Sequence, residues 1–310
     1  MQLNTPILFL TYKRFETSEK VFESIKNAKP KKLYFVSNAP KKNDKVELEK
    51  VQKVRSLLNE VNWDCDVVTL FRDEYLDVKE SITFSIDWFF EHEEKGIILE
   101  DDCVPSQTFY PFCQELLDYY QNDENVYSIG GCCFLEDKNL LNNEYRFSRH
   151  TYIWGWATWK RAWLKYDVKM TNWPEFKKSK NYKSIFKNFI ICSYWTNIFN
   201  MVYENQIKTW DYQWVYSIWL NNGISIIPNR NLVSNIGFGI DSNFTHDKKS
   251  IESNIKTSDF DLPLKHITSK IENHNELKFV EQYIYKISLA SFIKTTFYNF
   301  YKLVIKKTTH

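Results

Sequence analysis

Short apolar runs alternate with segments of helical periodicity along the first 131 residues. The apolar runs lie at 6–11, 32–37, 66–71, 96–99 and 126–131, and runs of this length are typical of buried strands. Between them, apolar side chains recur at helical spacing over 16–28, 43–61, 81–92 and 109–120. This alternation predicts an α/β fold with a mostly parallel central sheet flanked by helices.

The pattern loosens after residue 145, where nine tryptophans accumulate between Trp154 and Trp219. A helix is expected from Asp211 to Leu220, a strand over 225–228, and a turn or flexible loop at Gly237 and Gly239. Residues 250–277 are polar and expected to be irregular. The broadly apolar segment 277–307 predicts a helical C-terminal extension.

Composition and charge narrow the possible partners. Aromatic residues make up 17% of the chain, which favours stacking on flat apolar faces such as those of sugar rings. A genomic bias towards Lys, Asn and Ile is the alternative explanation. The net charge of +2 gives no reason to expect nucleic-acid binding. Lysines but no acidic residues follow Glu281, and this asymmetry predicts a tail that prefers an anionic surface.

Cysteine spacing and the start of the chain bear on location. The six cysteines form no CxxC pair, and no basic-then-apolar leader is visible, so we expect reduced thiols, neither disulfides nor zinc ligands. No uncharged apolar stretch reaches the roughly 20 residues that span a bilayer. We therefore expect a cytoplasmic protein. Its C-terminal helix would contact the inner face of the membrane, a second copy in a homo-oligomer, or the catalytic part of the chain itself.

Three consecutive acids, Glu100, Asp101 and Asp102, follow the strand expected at 96–99. Parallel sheets bind ligands at the carboxyl ends of their strands, where residues 13–14 and 37–38 are also expected. Carboxylate oxygens suit Mg²⁺ or Mn²⁺ when phosphate and water share the coordination. An isolated acidic triplet is often a solvated turn. Its position at the end of a buried strand instead favours a metal site beside a diphosphate.

Several segments, in this order, resemble the GT-A nucleotide-diphospho-sugar glycosyltransferases. The likeness is to the group related to animal N-acetylglucosaminyltransferase I and its bacterial counterparts. The matching segments are 6–14, the acidic run 96–102, the Gly-Trp segment 154–163, 210–214, and 235–239 running on to His246. The resemblance implies the Rossmann-like GT-A fold. A catalytic domain would span 1–248, binding the nucleotide sugar through residues 1–135 and the acceptor through residues 136–248, and the extension 249–310 would follow it.

The resemblance also implies roles in the donor site. Asp102 would bind Mn²⁺ or Mg²⁺ directly, as in a DXD motif, while Asp101 would hydrogen-bond the ribose and Arg14 the phosphates. The remaining expected donor-site residues are Asn38, Lys79 and Glu100. Residues 75–79 depart from the relatives' Asn-x-Gly before a basic residue. This leaves the identity of the donor's nucleotide base open, although a UDP-sugar is the expected donor. His246, on a loop expected to close over the donor, would complete the metal shell or contact the phosphates; a solvated histidine is the alternative.

Asp211 is the candidate general base. Displacement at an anomeric carbon needs a carboxylate to take the acceptor's proton, and flanking aromatic residues would desolvate Asp211 and raise its pKa. Its alternative role is to cap a helix that begins here. Trp154 and Trp156 would stack on the acceptor, although their spacing also suits core packing. The resulting hypothesis is an inverting hexosyl- or N-acetylhexosaminyltransferase that uses a glycan or lipid-linked glycan acceptor in bacterial polysaccharide or lipopolysaccharide synthesis.

Two rival functions are compatible with the sequence. A sugar nucleotidylyltransferase would share the α/β core but needs a glycine-rich phosphate loop near the N-terminus, and residues 10–14 contain no glycine. A non-catalytic glycan-binding or scaffolding module would show no transfer or donor hydrolysis. Activity that disappears in Asp102→Ala would exclude it.

Overall fold

The computed structural model describes residues 3–135, 143–186, 188–238, 252–267, 269–290 and 292–293. The strands within these ranges are β1 (Ile7–Thr11), β2 (Lys32–Ser37), β3 (Asp66–Phe71), β4 (Lys95–Glu100), β5 (Cys103–Pro105), β6 (Val126–Gly130), β7 (Tyr145–Ser148), β8 (Trp156–Trp159), β9 (Ile224–Pro228) and β10 (Val233–Asn235). The strands predicted at 32–37 and 66–71 are confirmed to the residue, and those at 6–11, 96–99, 126–131 and 225–228 to within one residue at each end.

The helices are α1 (Phe15–Ala28), α2 (Lys45–Arg55), α3 (Val78–His92), α4 (Phe109–Tyr119), α5 (Lys160–Trp163), α6 (Trp173–Phe176), α7 (Lys180–Ser184), α8 (Phe189–Tyr203), α9 (Asp211–Leu220) and α10 (His274–Phe279). A 3₁₀ turn (Ser56–Glu60) extends α2, and a π-helical turn (Val280–Ile284) extends α10. Helices α2 and α3 begin with side-chain N-caps: Asp44 and Asp77 accept hydrogen bonds from the backbone N–H groups three residues further along the chain.

Eight strands form one twisted sheet in the order β3-β2-β1-β4-β8-β6-β9-β7. The pairs β3–β2, β2–β1, β1–β4 and β6–β9 are parallel, while β8 is antiparallel to both β4 and β6, and β7 is antiparallel to β9. The prediction of a mixed α/β fold with a mostly parallel sheet is confirmed. Because β8 runs opposite to its two neighbours, β6 and β9 end at the same edge as β1 to β4. We call this edge the carboxyl rim.

Helices cover both faces of the sheet. In β1, Ile7 and Phe9 belong to the core beneath α1 and α4, and Leu8 and Leu10 belong to the core beneath α3 and α9. Burial on both faces explains why these strands are continuously apolar. The second core is unusually rich in tryptophan, including the fully buried Trp156, Trp173, Trp195 and Trp214.

The C-terminal segment is helical over a short stretch of its described residues. Helix α10 and its π-helical turn occupy the start of the predicted helix, and Lys286 then takes a positive φ of 53°. Residues 294–310 lie outside the described ranges. Leu277 and Val280 are buried, and Val280 belongs to the first core. Among the described residues, no helix has both the length and the apolar character needed to cross a bilayer. The division at residue 248 stays a prediction.

Candidate active site

The ends of β1 and β4 bring a guanidinium against the acidic run. Strand β4 ends at Glu100, and Asp101 and Asp102 form the turn before β5. Arg14, which precedes α1, hydrogen-bonds through Nη2 to Asp101 Oδ1 and to Asp102 Oδ2, the latter at 2.8 Å. These contacts place three of the predicted donor-site and metal-site residues together at the carboxyl rim.

A cavity of about 400 Å³ opens beside these acids, and we call it the main cavity. It contains five of the residues predicted from the sequence: Arg14, Glu100, Asp102, Trp154 and Asp211. Its other lining residues are Val78, Ile153, Ile207, Thr209, Trp210, Tyr212 and Asn235. The acidic run therefore shares one space with Asp211, although more than 100 residues separate them in the chain.

A smaller cavity of about 100 Å³ adjoins it and shares Arg14, Val78 and Glu100 with it. Asn38 and Asp101 also line this smaller space. The Asn38 amide is engaged with the backbone: Oδ1 accepts from the N–H of Ala39 and Leu76, and Nδ2 donates to the Leu76 carbonyl at 2.8 Å. Asn38 thus holds the chain before α3 against the end of β2, which shapes the small cavity.

Electrostatics at the main cavity favour a bound cation. Burial raises the pKa of Glu100 well above its usual range, and the nearby carboxylates of Asp102, Asp101 and Asp211 raise it further. Burial also raises the pKa of Asp101, against the lowering effect of Arg14. Three carboxylates therefore act on Glu100, only two of them pair with Arg14, and a divalent cation would relieve their repulsion.

The donor set suits a cation that phosphate oxygens help to coordinate. Within the described ranges, no three His, Cys, Asp or Glu side chains converge as a complete metal site. A cation held by Asp102 would need further oxygen ligands, and a diphosphate supplies them. His246, the second predicted metal ligand, lies outside the described residues, as does Gly239.

Asp211 is the first residue of α9, and the cap position before it is Trp210. Its Oδ1 accepts from the Thr209 hydroxyl and from the Tyr212 backbone N–H, the latter at 2.9 Å. Burial raises the pKa of Asp211, whereas these hydrogen bonds lower it. A desolvated carboxylate of this kind is a stronger base than an exposed one.

The two tryptophans predicted to bind the acceptor have different positions. Trp154 lines the main cavity and meets Phe238 edge-on, with ring centroids 5.6 Å apart. The prediction for Trp156 is wrong, because its ring is 0% exposed among Trp163, Trp210 and Trp214. It lies on β8 and faces the core, which is the packing alternative that its spacing had allowed.

Lys79 does not line either cavity, and its neighbour Val78 lines both. The Lys79 ammonium instead lies 3.5 Å from the side-chain oxygen of Asn205.

The structure also shows site residues that the sequence did not indicate. Thr209 supports Asp211, and no local sequence signal identifies it. Asn235 was within a predicted loop segment, but its position in the cavity wall depends on the pairing of β10 with β5.

The segment after β10 approaches the acidic run closely. The Ile236 N–H donates to the backbone carbonyl of Asp102 at 2.9 Å. A Cβ placed on Gly237 would lie 2.0 Å from Asp102 Oδ2, so only glycine leaves room for the carboxylate in this position.

Comparisons with known proteins give distant structural likenesses only. No protein-family profile matches the chain, and no curated protein matches it. Mouse xyloside xylosyltransferase 1 is 12% identical, with a TM-score of 0.37 over 70% of this chain and 81% of that one. The glycosyltransferase GlyE of Streptococcus pneumoniae is 14% identical, with a TM-score of 0.32 over 73% of this chain and 54% of that one. The 4-diphosphocytidyl-2C-methyl-D-erythritol synthase of Anaerococcus prevotii is 11% identical, with a TM-score of 0.34 over 64% and 83%. These scores are too low to transfer a function.

Proposed function

We propose that the protein is a nucleotide-sugar-dependent glycosyltransferase that requires Mn²⁺ or Mg²⁺. The proposal rests on one observation: Asp211 and the acidic run, with Arg14, line the same cavity at the carboxyl rim of an α/β sheet. This arrangement would supply a cation-binding side and a basic side within one space, as group transfer from a diphosphate requires.

On the donor side, Asp102 would hold the cation, and the cation would neutralise charge on the departing diphosphate. Arg14 bonds to the acids and lines both cavities, so its guanidinium would meet phosphate oxygens once a cation occupied the carboxylates. The small cavity, with Asn38 and Asp101, would take the nucleoside. UDP is the donor nucleotide that we propose.

On the acceptor side, Asp211 would accept the proton of an acceptor hydroxyl as that oxygen forms a bond to the anomeric carbon. The bond from that carbon to the diphosphate oxygen breaks in the same displacement, which inverts the configuration. Trp154, in the wall of the main cavity, offers an aromatic face to the acceptor sugar. A glycan or lipid-linked glycan of a bacterial surface polysaccharide is the acceptor that we propose.

The test separates donor binding from chemistry with two isosteric variants. Asp102→Asn is expected to abolish the Mn²⁺-dependent rise in melting temperature that UDP or a UDP-sugar produces, since a ligand stabilises only the state that binds it. Asp211→Asn is expected to keep that rise but lower sugar transfer, or donor hydrolysis by water, by about 10²–10⁴-fold. Calorimetric melting and release of UDP measure the two effects.

The control is Asp118→Asn. Asp118 lies on α4 and pairs at the surface with Lys95, which starts β4 at the end opposite the carboxyl rim. It is expected to match the wild type in both measurements. Stabilisation by UDP and Mn²⁺ that persists in Asp102→Asn would refute the metal assignment. Release of pyrophosphate from a nucleoside triphosphate and a sugar 1-phosphate would instead identify a nucleotidylyltransferase.

A further inference from the structure

A second polar cavity, of about 330 Å³, lies at the far end of the carboxyl rim. We call it the distal cavity; its lining residues are Asn143, Glu144, Asn229, Arg230, Asp259, Phe260 and Asp261. It forms where β9 ends and β7 begins, since Pro228 is paired with Tyr145. Its volume is within the range of small-ligand sites, which begins at about 300 Å³.

The distal cavity and the main cavity share one edge of the sheet. Strands β8 and β6 lie between β4 and β9, so the two sites are three strand spacings apart. At about 4.8 Å per spacing this is roughly 14 Å. A ligand longer than one sugar unit could therefore occupy both cavities.

Two chain segments run along the rim from one cavity to the other. The first, 229–235, starts in the distal cavity, bonds to the end of β6 through Leu232 N–H to Gly131 O at 2.9 Å, and ends at Asn235 in the main cavity. The second, 254–261, runs antiparallel beside it: Asn254 N–H donates to Asn235 O at 3.0 Å, and Ser258 N–H to Asn231 O at 2.8 Å. The first segment thus contributes to both cavities, and the second contributes to the distal cavity and is bonded to Asn235 at the main one.

Hydrogen bonds hold the side chains of the distal cavity in place. Arg230 Nη1 donates to the Asp259 carbonyl at 2.6 Å, and the Asp259 carboxylate accepts from the Thr108 hydroxyl at 2.6 Å. Glu144 accepts from the Lys265 backbone N–H at 3.1 Å. Phe260 is half-buried against Phe112, with ring centroids 5.6 Å apart. Its ring is therefore anchored from behind.

This combination of groups suits a carbohydrate. Carboxylates, amides and a guanidinium can each pair with neighbouring hydroxyls, and an aromatic ring can cover the apolar C–H face of a sugar. Three acids, Glu144, Asp259 and Asp261, stand against one base, Arg230, so a phosphate or other strong anion is disfavoured. A neutral or amino sugar has hydroxyls and an apolar face for these groups, and it carries no negative charge for the acids to repel.

We infer that the distal cavity binds a remote sugar unit of the acceptor, which makes the acceptor an oligosaccharide and not a single sugar. This inference rests on the proposed function, because it is that function which supplies an acceptor in the main cavity. The remote unit would fix the register of the acceptor and thereby select the hydroxyl that reaches Asp211.

The test uses a printed array of defined bacterial oligosaccharides with the full chain. The variants Arg230→Gln and Asp261→Asn change the distal cavity, and Lys165→Gln, at an exposed position after α5 and away from the carboxyl rim, is the control. Each cavity variant is expected to weaken binding to the oligosaccharides that the wild type retains by about tenfold or more, as for loss of a hydrogen bond to a charged group. Stabilisation by UDP and Mn²⁺ should stay unchanged.

The outcomes distinguish this inference from the proposed function. Oligosaccharide binding that is equal in wild type, Arg230→Gln and Asp261→Asn, or absent from the wild type, would overturn the inference while leaving the donor site intact. Binding that depends on Arg230 and Asp261 in a protein that no UDP compound stabilises would overturn the acceptor role, and the proposed function with it. Weaker binding in Lys165→Gln would show that the effect is not specific to the cavity, which also overturns the inference.

Discussion

Arg14 shows how single side chains define the site. Its guanidinium bonds to Asp101 and Asp102 and so compensates part of their negative charge. Burial and mutual repulsion favour the protonated form of the neighbouring carboxyl groups, and Arg14 opposes that effect. A divalent cation at Asp102 would compete with this bond and free Arg14 for another anion. In the proposed mechanism, the same side chain would pair with the acids when no cation is bound and would contact a phosphate when one is.

The residues of the candidate site were predictable from the sequence to different degrees. Arg14, Glu100 and Asp102 follow directly on apolar strands, and Asp211 begins a recognisable segment, so the sequence predicts them near one another. Trp156 and Thr209 were not predictable. A tryptophan in a Trp-rich strand gives no sign of which face it takes, and Thr209 acts only through its hydrogen bond to Asp211.

Gly237→Ala tests the close approach at Asp102. The added methyl would lie 2.0 Å from the carboxylate, so the side chain or the loop must move. We expect donor affinity in the presence of Mn²⁺ to fall at least tenfold, because metal ligands tolerate little displacement, while the melting temperature without ligand changes little. Calorimetric titration measures the affinity. Gly223→Ala, whose added methyl would meet the Tyr127 ring away from the site, is the matched control. Unchanged donor affinity in Gly237→Ala would contradict the placement of this loop.

At the scale of elements, the strands of five or six residues were predicted well and the shorter ones were not. Strands β1 to β4 have continuous apolar runs bounded by charged or turn residues, and these two features predict both their type and their ends. Strands β5, β7, β8 and β10 contain only three or four residues each, and their pairing partners are distant in sequence. Helix α8 is mostly apolar in sequence, and its few polar residues mark no clear face, so helical periodicity is weak there.

The C-terminal helical element contains a pH-sensitive carboxyl. Glu281, in the π-helical turn, has a pKa raised from 4.5 to about 7, first by burial and then by Glu276 and Glu272, against the opposing effect of Arg149. A raised carboxyl pKa stabilises the folded state below the unfolded value and loses that contribution as the pH rises through the folded value. This loss falls between about pH 4.5 and 7.

Glu281→Gln is expected to remove the loss of folding stability that the wild type shows as the pH rises. Between about pH 5 and pH 8, the free energy of unfolding of the wild type should fall relative to that of the variant by about 1–2 kcal/mol, allowing for partial exposure. Urea unfolding at both pH values measures the difference. Glu175→Gln, at an exposed surface pair, should follow the wild type. An equal pH dependence in wild type and Glu281→Gln would show that the carboxyl is not desolvated.

At the scale of the whole molecule, the C-terminal segment belongs to the folded core. Leu277 and Val280 are buried, and the buried Glu276 accepts hydrogen bonds from the hydroxyls of Ser148 and Tyr152. Tyr152 directly precedes Ile153 and Trp154 of the main cavity. The segment therefore supports the wall on which the proposed acceptor would lie.

A chain ended after Ile271 tests this support. Loss of the apolar burial of Leu277, Val280 and the partly buried Tyr285 corresponds to about 5 kcal/mol, which is comparable with the total stability of many domains. We expect the shortened chain to lose its cooperative thermal transition. A chain ended after Ile293 is the control and should retain that transition. A cooperative melt in the shorter chain, at the temperature of the full one, would show that the segment is dispensable.

The tryptophan cluster behind Asp211 has a spectroscopic consequence. Trp156 and Trp210 are stacked with centroids 5.8 Å apart. Trp163 lies against both of them, and Trp214 lies against Trp156 and Trp163. Indoles held rigidly at such separations couple their electronic transitions and produce intense near-ultraviolet circular dichroism, which depends on fixed packing. Since Trp210 also borders the main cavity, occupancy of that cavity should alter this signal. The protein therefore contains its own optical probe of substrate binding, and no label is needed to follow it.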